Sequence, residues 1–437
     1  MQEPMCNWKL WVLSAAVIGF CCLIGLAAVP APVQAQQDVP IPLYKVDAFW
    51  PKPLPNNWSP QQFVDIYVDK DDHVWAVNRP IDARPDEMGG LWKPPQGSCC
   101  VLGPEIMEFD LRGNVLKSWG GPSENWFETD PTGKMLNAHG AIHYKPEMPD
   151  KIQTIGVDYE ENVYVSSDRA GSTIDKYSPD GKFLWTFGHT GPKPAGYKPD
   201  SQQTDMLYGG IGAFDFDEAA HELYVLDSES KRLLVYDMNT GAFKRGWGGH
   251  GMALSEIDLT PVQPYDISGP PPDEKNFVPT LHCVHISVDG LVYVCERNAN
   301  RIEVFTKQGK FVKSFYVSPL TVARGKTCGG LWSLTAPMCG SVVNLTFSHD
   351  PQEKYLLTVD NTNNMVHILN RSDGKEVGSF GGNSHYAGGT RWPDSIAMDS
   401  KGNVYVGEVE DGKRIQKFIL TNGDGKTTQP RPTSIYK

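Results

Sequence analysis

Two sets of polar residues stand where an otherwise apolar pattern stops. Arg79, Arg169 and Arg297 follow alternating apolar runs, and Glu229, Asn361 and Glu410 occupy comparable places further along the chain. A second set, Gln153, His282, Asn344 and Asp394, opens such runs, five residues before a polar turn. Each type has its own chemistry. A guanidinium grips a carboxylate through two parallel hydrogen bonds. An imidazole and a carboxylate at one point can hold a divalent ion. Brought together, these groups would suit a small anionic ligand or a bound cation.

A repeat decides whether they converge. Six segments carry one pattern: an alternating apolar run, a polar turn, a second run ending near Asp or Glu, a short loop, then two more strands. The clearest copies are NVYVSSDRAGSTIDKYSPDGKFLWTFG from Asn162 to Gly188 and LVYVCERNANRIEVFTKQGKFVKSF from Leu291 to Phe315. Closing aromatics fall at Trp119, Phe187, Trp247, Phe315 and Phe380. Radially repeated four-stranded units make a β-propeller. The expected fold is therefore all-β, with six blades of four antiparallel strands. The sixth copy shows three strands, from about 393 to Leu420. The isolated alternating segment Tyr44 to Phe49 is expected to supply the fourth and close the ring.

Propeller connectivity then sorts the loops. With strands labelled A (inner) to D (outer), A–B and C–D turns share one face, and B–C and D–A loops share the other. The turns at Asp158-Tyr159-Glu160-Glu161, Val288-Asp289-Gly290 and Pro179-Asp180-Gly181 are short. The long insertions, 80–103, 121–150, 189–209, 250–280 and 318–341, are all of the second kind. Both polar sets lie at that same end of the channel, so the pattern predicts a loop-covered axial site. Long loops of this kind are usually functional or disordered. His139, His143, His189 and His250 lie in or beside these insertions, where a loop histidine could complete a metal site.

Composition narrows the class. The chain has 437 residues and a net charge of −12. No basic run appears, which argues against nucleic acid or an anionic membrane as a partner. Residues 1–35 read as a signal peptide: Lys9, an apolar stretch from Leu10 to Val29, and a small-residue cleavage site at Val33-Gln34-Ala35. Export to the periplasm or beyond is expected, with membrane attachment only if that stretch stays uncleaved. Residues 36–421 are read as the propeller and 422–437 as a polar tail. Six cysteines remain after the leader, and export permits disulfides. Cys283 and Cys295 flank one hairpin turn symmetrically, and Cys328 and Cys339 close a short loop. Cys99 and Cys100 could bridge or stay reduced. No cysteine has zinc-type spacing, and no organic cofactor is expected.

Segments such as GNVYVGEVEDGKRIQKF and VYVCERNANRIEVF resemble NHL repeats, over nearly all of 43–420. Among NHL propellers the chain resembles the peptidyl-α-hydroxyglycine α-amidating lyases. That family places a zinc on histidines of three alternating blades, substrate-carboxylate arginines, and a tyrosine base. The resemblance implies that Arg79 and Arg297 correspond to the functional arginines and His282 to a zinc ligand. Gln153 and Asp394 stand at the other two zinc positions, Ser395 at a calcium-binding Asp, and Glu229 near the tyrosine. It implies a metal-dependent lyase acting on a peptide C-terminus, with Arg79, Arg297 and Glu229 catalytic and His282 and Asp394 on one divalent metal. Gln153, Arg169, Asn344 and Asn361 would line the ligand site. Two other readings stay open. One is a gluconolactonase-like hydrolase holding calcium on Asn344, Asp394 and Glu410. The other is a non-enzymatic exported scaffold that binds a protein partner at the loop-rich face.

Overall fold

The structure, a computed structural model, describes residues 39–91, 95–121, 152–167, 171–190, 195–196, 207, 210–328 and 338–422. The leader read at 1–35 and nearly all of the tail lie outside them.

The six blades are present, each a four-stranded antiparallel sheet with strands in meander order. The inner strands are Gln62–Val68, Ile152–Val157, Ile211–Asp217, Leu281–Ile286, Asn344–Phe347 and Pro393–Met398. Tyr44–Asp47 pairs with Ile415–Leu420, Tyr44 facing Leu420, so the N-terminal segment closes the ring as the outer strand of blade six. Apolar side chains between neighbouring sheets form the core. One cluster joins Tyr224 and Trp247 of blade three to Val284 and Phe305 of blade four.

Two local devices explain why the repeat reads as it does. The first is the A–B turn. In blade two the Asp158 carboxylate accepts from the amides of Glu160 and Asn162 and from the hydroxyl of Tyr164. Asp399 does the same for Lys401, Asn403 and Tyr405. In blade one Asp69 serves Asp71, His73 and the indole of Trp75. One carboxylate thus caps a turn and fixes an aromatic of the next strand, the Asx logic of tight turns.

The second device joins blades. The aromatic closing one blade lies on the C–D turn glycine of the next. A Cβ on Gly181 would stand 2.6 Å from the Trp119 ring, one on Gly309 2.6 Å from Trp247, and one on Gly374 2.4 Å from Phe315. These glycines also need positive φ, at 79°, 82° and 73°, a region that side-chain-bearing residues enter at a cost. Blade one completes the circle: Gly113 meets Trp50, which follows the N-terminal strand. Ring closure therefore uses both the strand and its aromatic.

The strand ends in Asp or Glu are structural. Asp227 pairs with the buried Arg232 at 2.8 Å, Glu296 with Arg301 at 2.7 Å and Glu408 with Arg414 at 2.9 Å. Each ties the end of strand B to the start of strand C. Cys283 and Cys295 face each other in register and are bridged, with a Cα separation of 4.8 Å. Cys328–Cys339 is bridged at 5.5 Å, and the adjacent Cys99 and Cys100 are joined as well.

Gly374→Ala is expected to destabilise the protein by about 1–3 kcal/mol in urea unfolding, because a methyl must displace the Phe315 ring as well as tolerate positive φ. Gly210→Ala is the control: its φ is +75° but nothing lies within 4 Å of the new methyl. It should cost only the backbone share, roughly 1 kcal/mol. Equal losses would mean that the aromatic–glycine contact contributes nothing. Non-reducing peptide mapping should recover Cys283 linked to Cys295.

Candidate functional site

A backbone irregularity builds the mouth. In most blades the register between strands A and B slips at the very start of strand A. The slip leaves His282 between Leu281 and Cys283, Asp394 between Pro393 and Ser395, and Gln153 within the step from Ile152 to Ile155. A bulge bends the strand and re-aims the extra side chain. All three residues line the central cavity, with Asn344 and Asp65. Blades one and three spend the same bulge on Val64 and Gly212. At Gly212 a Cβ would run into the Leu281 carbonyl at 2.0 Å, so that position is closed to side chains.

The first residues after strand B complete the mouth. Register identifies them. Asp227 faces Arg232, Glu296 faces Arg301 and Asp360 faces Met365. The residues that follow are Ser228, Arg297 and Asn361, with Arg79 the counterpart in blade one. Glu229 is one residue beyond this position and is exposed. The expectation that Glu229 joins the site is therefore corrected: Asp227–Arg232 stands in register with Glu296–Arg301, so the counterpart of Arg297 is Ser228 and not Glu229. The Ser228 hydroxyl accepts from the Leu281 amide at 2.9 Å, a joint between blades three and four. Arg169 lies outside the described residues, as do His139 and His143, and nothing is described of the His189 side chain. His250 hydrogen-bonds through its amide to Glu303 and stacks on Phe311 at 4.5 Å, away from the axis.

The remaining groups act on one another. Arg79 is buried, donates from Nε to the Ile152 carbonyl at 2.6 Å, and donates from its terminal nitrogen to the side-chain oxygen of Gln153. It also lies 3.8 Å from Asp82. Burial pulls the proton affinity of His282 down; Asp394 opposes this, and the positive charges of Arg297 and Arg79 reinforce it. Arg297 is itself held below its ordinary range by burial, against the pull of Asp394, Asp360 and Glu410. Blades four, six and one therefore meet at one mouth.

Several of these groups lack partners. Arg297 donates from Nε to the Cys339 carbonyl at 3.0 Å. Among the described residues its two terminal nitrogens have no hydrogen-bond partner, nor does the side chain of Asp394, and the His282 ring bonds only to its own backbone. Asn361 is 1% exposed, yet neither atom of its amide is bonded. Oε1 of the buried Glu410 is also unbonded. Buried polar groups are nearly always satisfied, so such a cluster calls for a ligand or water.

Deeper in the channel the polar groups are satisfied. Asp65 accepts from the Ile155 amide at 3.0 Å and from the Asn344 side chain at 3.2 Å. The Asn344 oxygen is shared with His285 at 2.9 Å and with the Leu345 amide at 2.8 Å. Asp215 repeats the device, accepting from the Ile286 amide of the next blade. The cavity that these groups share with His282, Asp394 and Gln153 holds about 30 Å³ for the centres of water-sized molecules, room for one or two waters. Of the calcium set read from sequence, Asn344 and Asp394 line this cavity, the Asn344 oxygen already taken by His285 and Leu345, while Glu410 acts on Asp82 and Asp394. Sequence reasoning missed Asp65 and Asp82. Asp65 was detectable as a lone carboxylate inside the apolar strand QFVDIYV; Asp82, in a loop, had no such signal.

The three-histidine zinc arrangement does not fit these residues. One imidazole and one carboxylate remain, the Gln153 oxygen is taken by Arg79, and two guanidiniums face the same space. At the other end of blade one, Asp69, His73 and Glu108 also have metal-like spacing. Asp69 there caps a turn, and Glu108 pairs with His73 and Lys117.

Neither a family model nor a curated protein matches the chain. Solved structures do, at low identity. A streptogramin B lyase is 12% identical over 87% of this chain and 88% of that one, with a TM-score of 0.43. A catalytically inactive virginiamycin B lyase from Staphylococcus aureus with quinupristin is 12% identical over 90% of each chain, with a TM-score of 0.45. A protein of unknown function from Bacteroides thetaiotaomicron is 16% identical over 83% of this chain and 70% of that one, also at 0.45.

Burial and the charges of Asp82, Asp394 and Asp411 push the Glu410 carboxyl up to about 7. Its folded value exceeds its unfolded value, so the folded state binds more protons between about 4.5 and about 7. Stability from this group is present at low pH and is lost as pH rises through that window. Asp65, also near 7, adds to the same slope. Glu410→Gln should flatten the decline in urea stability between pH 5 and pH 8, and should be the more stable protein at pH 8. An unchanged slope would show that Glu410 is solvated.

Proposed function

We propose that this protein binds a small carboxylate-bearing ligand at the loop-side mouth of its propeller channel, and that it does so as an exported protein. One observation carries the reading. Arg297 is buried, keeps both terminal nitrogens unbonded among the described residues, and acts electrostatically on His282 and Asp394, while Asp394 and Asn361 also lack hydrogen-bond partners among those residues. A guanidinium in that state offers a fork for a carboxylate, and binding would satisfy groups that otherwise cost free energy. Arg79, fixed by Ile152 and Gln153, adds a second positive charge without needing to move. The leader-like segment at 1–35 and the bridged cysteines support export.

A lyase acting on a peptide C-terminal carboxylate is the narrower form of this reading. Arg79, His282 and Arg297 favour it, because they coincide with the positions that the amidating-lyase resemblance assigns to substrate and metal. The substitutions at Gln153 and Asp394 remove the zinc set on which that chemistry rests. The binding function therefore stands without the lyase reaction.

Arg297→Ala should weaken binding of a carboxylated peptide or small acid by at least about tenfold, the scale of a lost charge-assisted contact, in isothermal titration calorimetry. Unchanged affinity would remove the proposal. Elemental analysis of the purified protein should find substoichiometric zinc. One equivalent of zinc that disappears in His282→Ala would restore the metal-dependent reading.

A further inference from the structure

The mouth has a second pole. Beside the two arginines, Glu410 of blade six lies within electrostatic reach of Asp394 of the same blade and of Asp82 in the B–C loop of blade one. The three are 7%, 7% and 5% exposed. Such a group of acids would ordinarily be neutralised by nearby bases. Here Asp82 has Arg79 at 3.8 Å, while Asp394 has no hydrogen bond or ion pair among the described residues and Glu410 keeps one oxygen unbonded. Lys413, the base on the same turn as Glu410, is committed elsewhere, to Gln61 and Glu87.

An independent observation stands beside the acids. Asn361 occupies, in blade five, the position that Arg297 holds in blade four, between the arginine and the acids of blade six. Its amide is almost fully buried and bonded to nothing. Both a donor and an acceptor therefore wait at the boundary between the poles.

We infer that the ligand is a zwitterion, its carboxylate received by Arg297 and Arg79 and its ammonium by Asp394, Glu410 and Asp82. This deepens the carboxylate reading above and rests on it. Charge arithmetic favours it over a simple anion. Asp82 and Asp394 already match the two guanidiniums in number and Glu410 adds a third carboxyl group, so a lone anion would leave the site more negative. A neutral ligand with separated charges satisfies both poles and leaves the balance unchanged. A divalent cation fits less well, because it would face Arg79 and Arg297 across the same small space. The poles also touch, at the Arg79–Asp82 contact. Amine and acid close together on one small ligand, as in an α-amino acid, match that spacing better than a long linker.

The test is calorimetric titration of the whole mature protein with the common L-α-amino acids and, in parallel, with their N-acetyl forms and their amides. The expected result is that at least one free amino acid binds and that its N-acetyl form and its amide each bind about tenfold more weakly or worse. In Glu410→Gln and Asp394→Asn, both near-isosteric, affinity for the free amino acid should fall by about tenfold while affinity for the N-acetyl form changes less than about twofold. Arg297→Ala should weaken both. Circular dichroism of each variant confirms that it folds. If the N-acetyl form binds as tightly as the free amino acid, or if Glu410→Gln and Asp394→Asn leave amino-acid affinity unchanged, the zwitterion inference is overturned and the carboxylate reading survives. If no compound carrying a carboxylate binds the wild type, both fall together.

Discussion

An aromatic ring lying on a positive-φ glycine locks five of the six joints between blades, Phe380 packing on Tyr44 and Phe418 at the sixth, and the rest of the molecule depends on these contacts. A propeller blade buries little by itself; its faces are covered only by its neighbours. The Trp119–Gly181, Phe187–Gly241, Trp247–Gly309, Phe315–Gly374 and Trp50–Gly113 contacts set the angle between successive sheets. The angle sets how many blades close the circle, and the circle sets which residues meet on the axis. The N-terminal strand belongs to this argument, because Tyr44–Asp47 and Trp50 supply blade six with its outer edge and its aromatic clasp.

Once the ring is closed, the axis becomes the place where regular structure is suspended. Inner strands elsewhere in the sheets satisfy their backbone groups in the ladder. At the mouth they slip register, and the slip exposes His282, Asp394 and Gln153 to the channel. The interior below is sealed by polar joints of another kind, in which Asp65 and Asp215 each hold an amide of the following blade. The same residue type therefore serves two ends. A carboxylate with amide partners is a structural clamp. A carboxylate without them among the described residues, as at Asp394, is available to a ligand. The polar half of the mouth spans blades four, five, six and one, while blade three presents Gly212 and a committed Ser228.

Much of this was legible in the sequence. The alternation and closing aromatics gave away the six blades, the missing fourth strand pointed to Tyr44, and the symmetry of Cys283 and Cys295 about a turn pointed to their bridge. Counting back from turns also located His282 and Asp394, because bulge and turn keep a constant separation. Counting fails by one residue in blade three, where Ser228 and not Glu229 follows the strand-ending pair Asp227–Arg232, and Glu229 is exposed. Asp82 was invisible because its position depends on the fold of a loop. That Asn361 lacks partners could not be read from sequence at all, since satisfaction of a buried amide is a property of the surroundings.

The most direct measurement is a crystal structure of the mature protein grown with a small amino acid at saturating concentration. The account predicts density at the loop-side mouth, with a carboxylate on the terminal nitrogens of Arg297 and an ammonium against Asp394 and Glu410. A structure in which Arg297 instead pairs with protein groups, leaving the mouth to ordered water alone at saturating ligand, would contradict it.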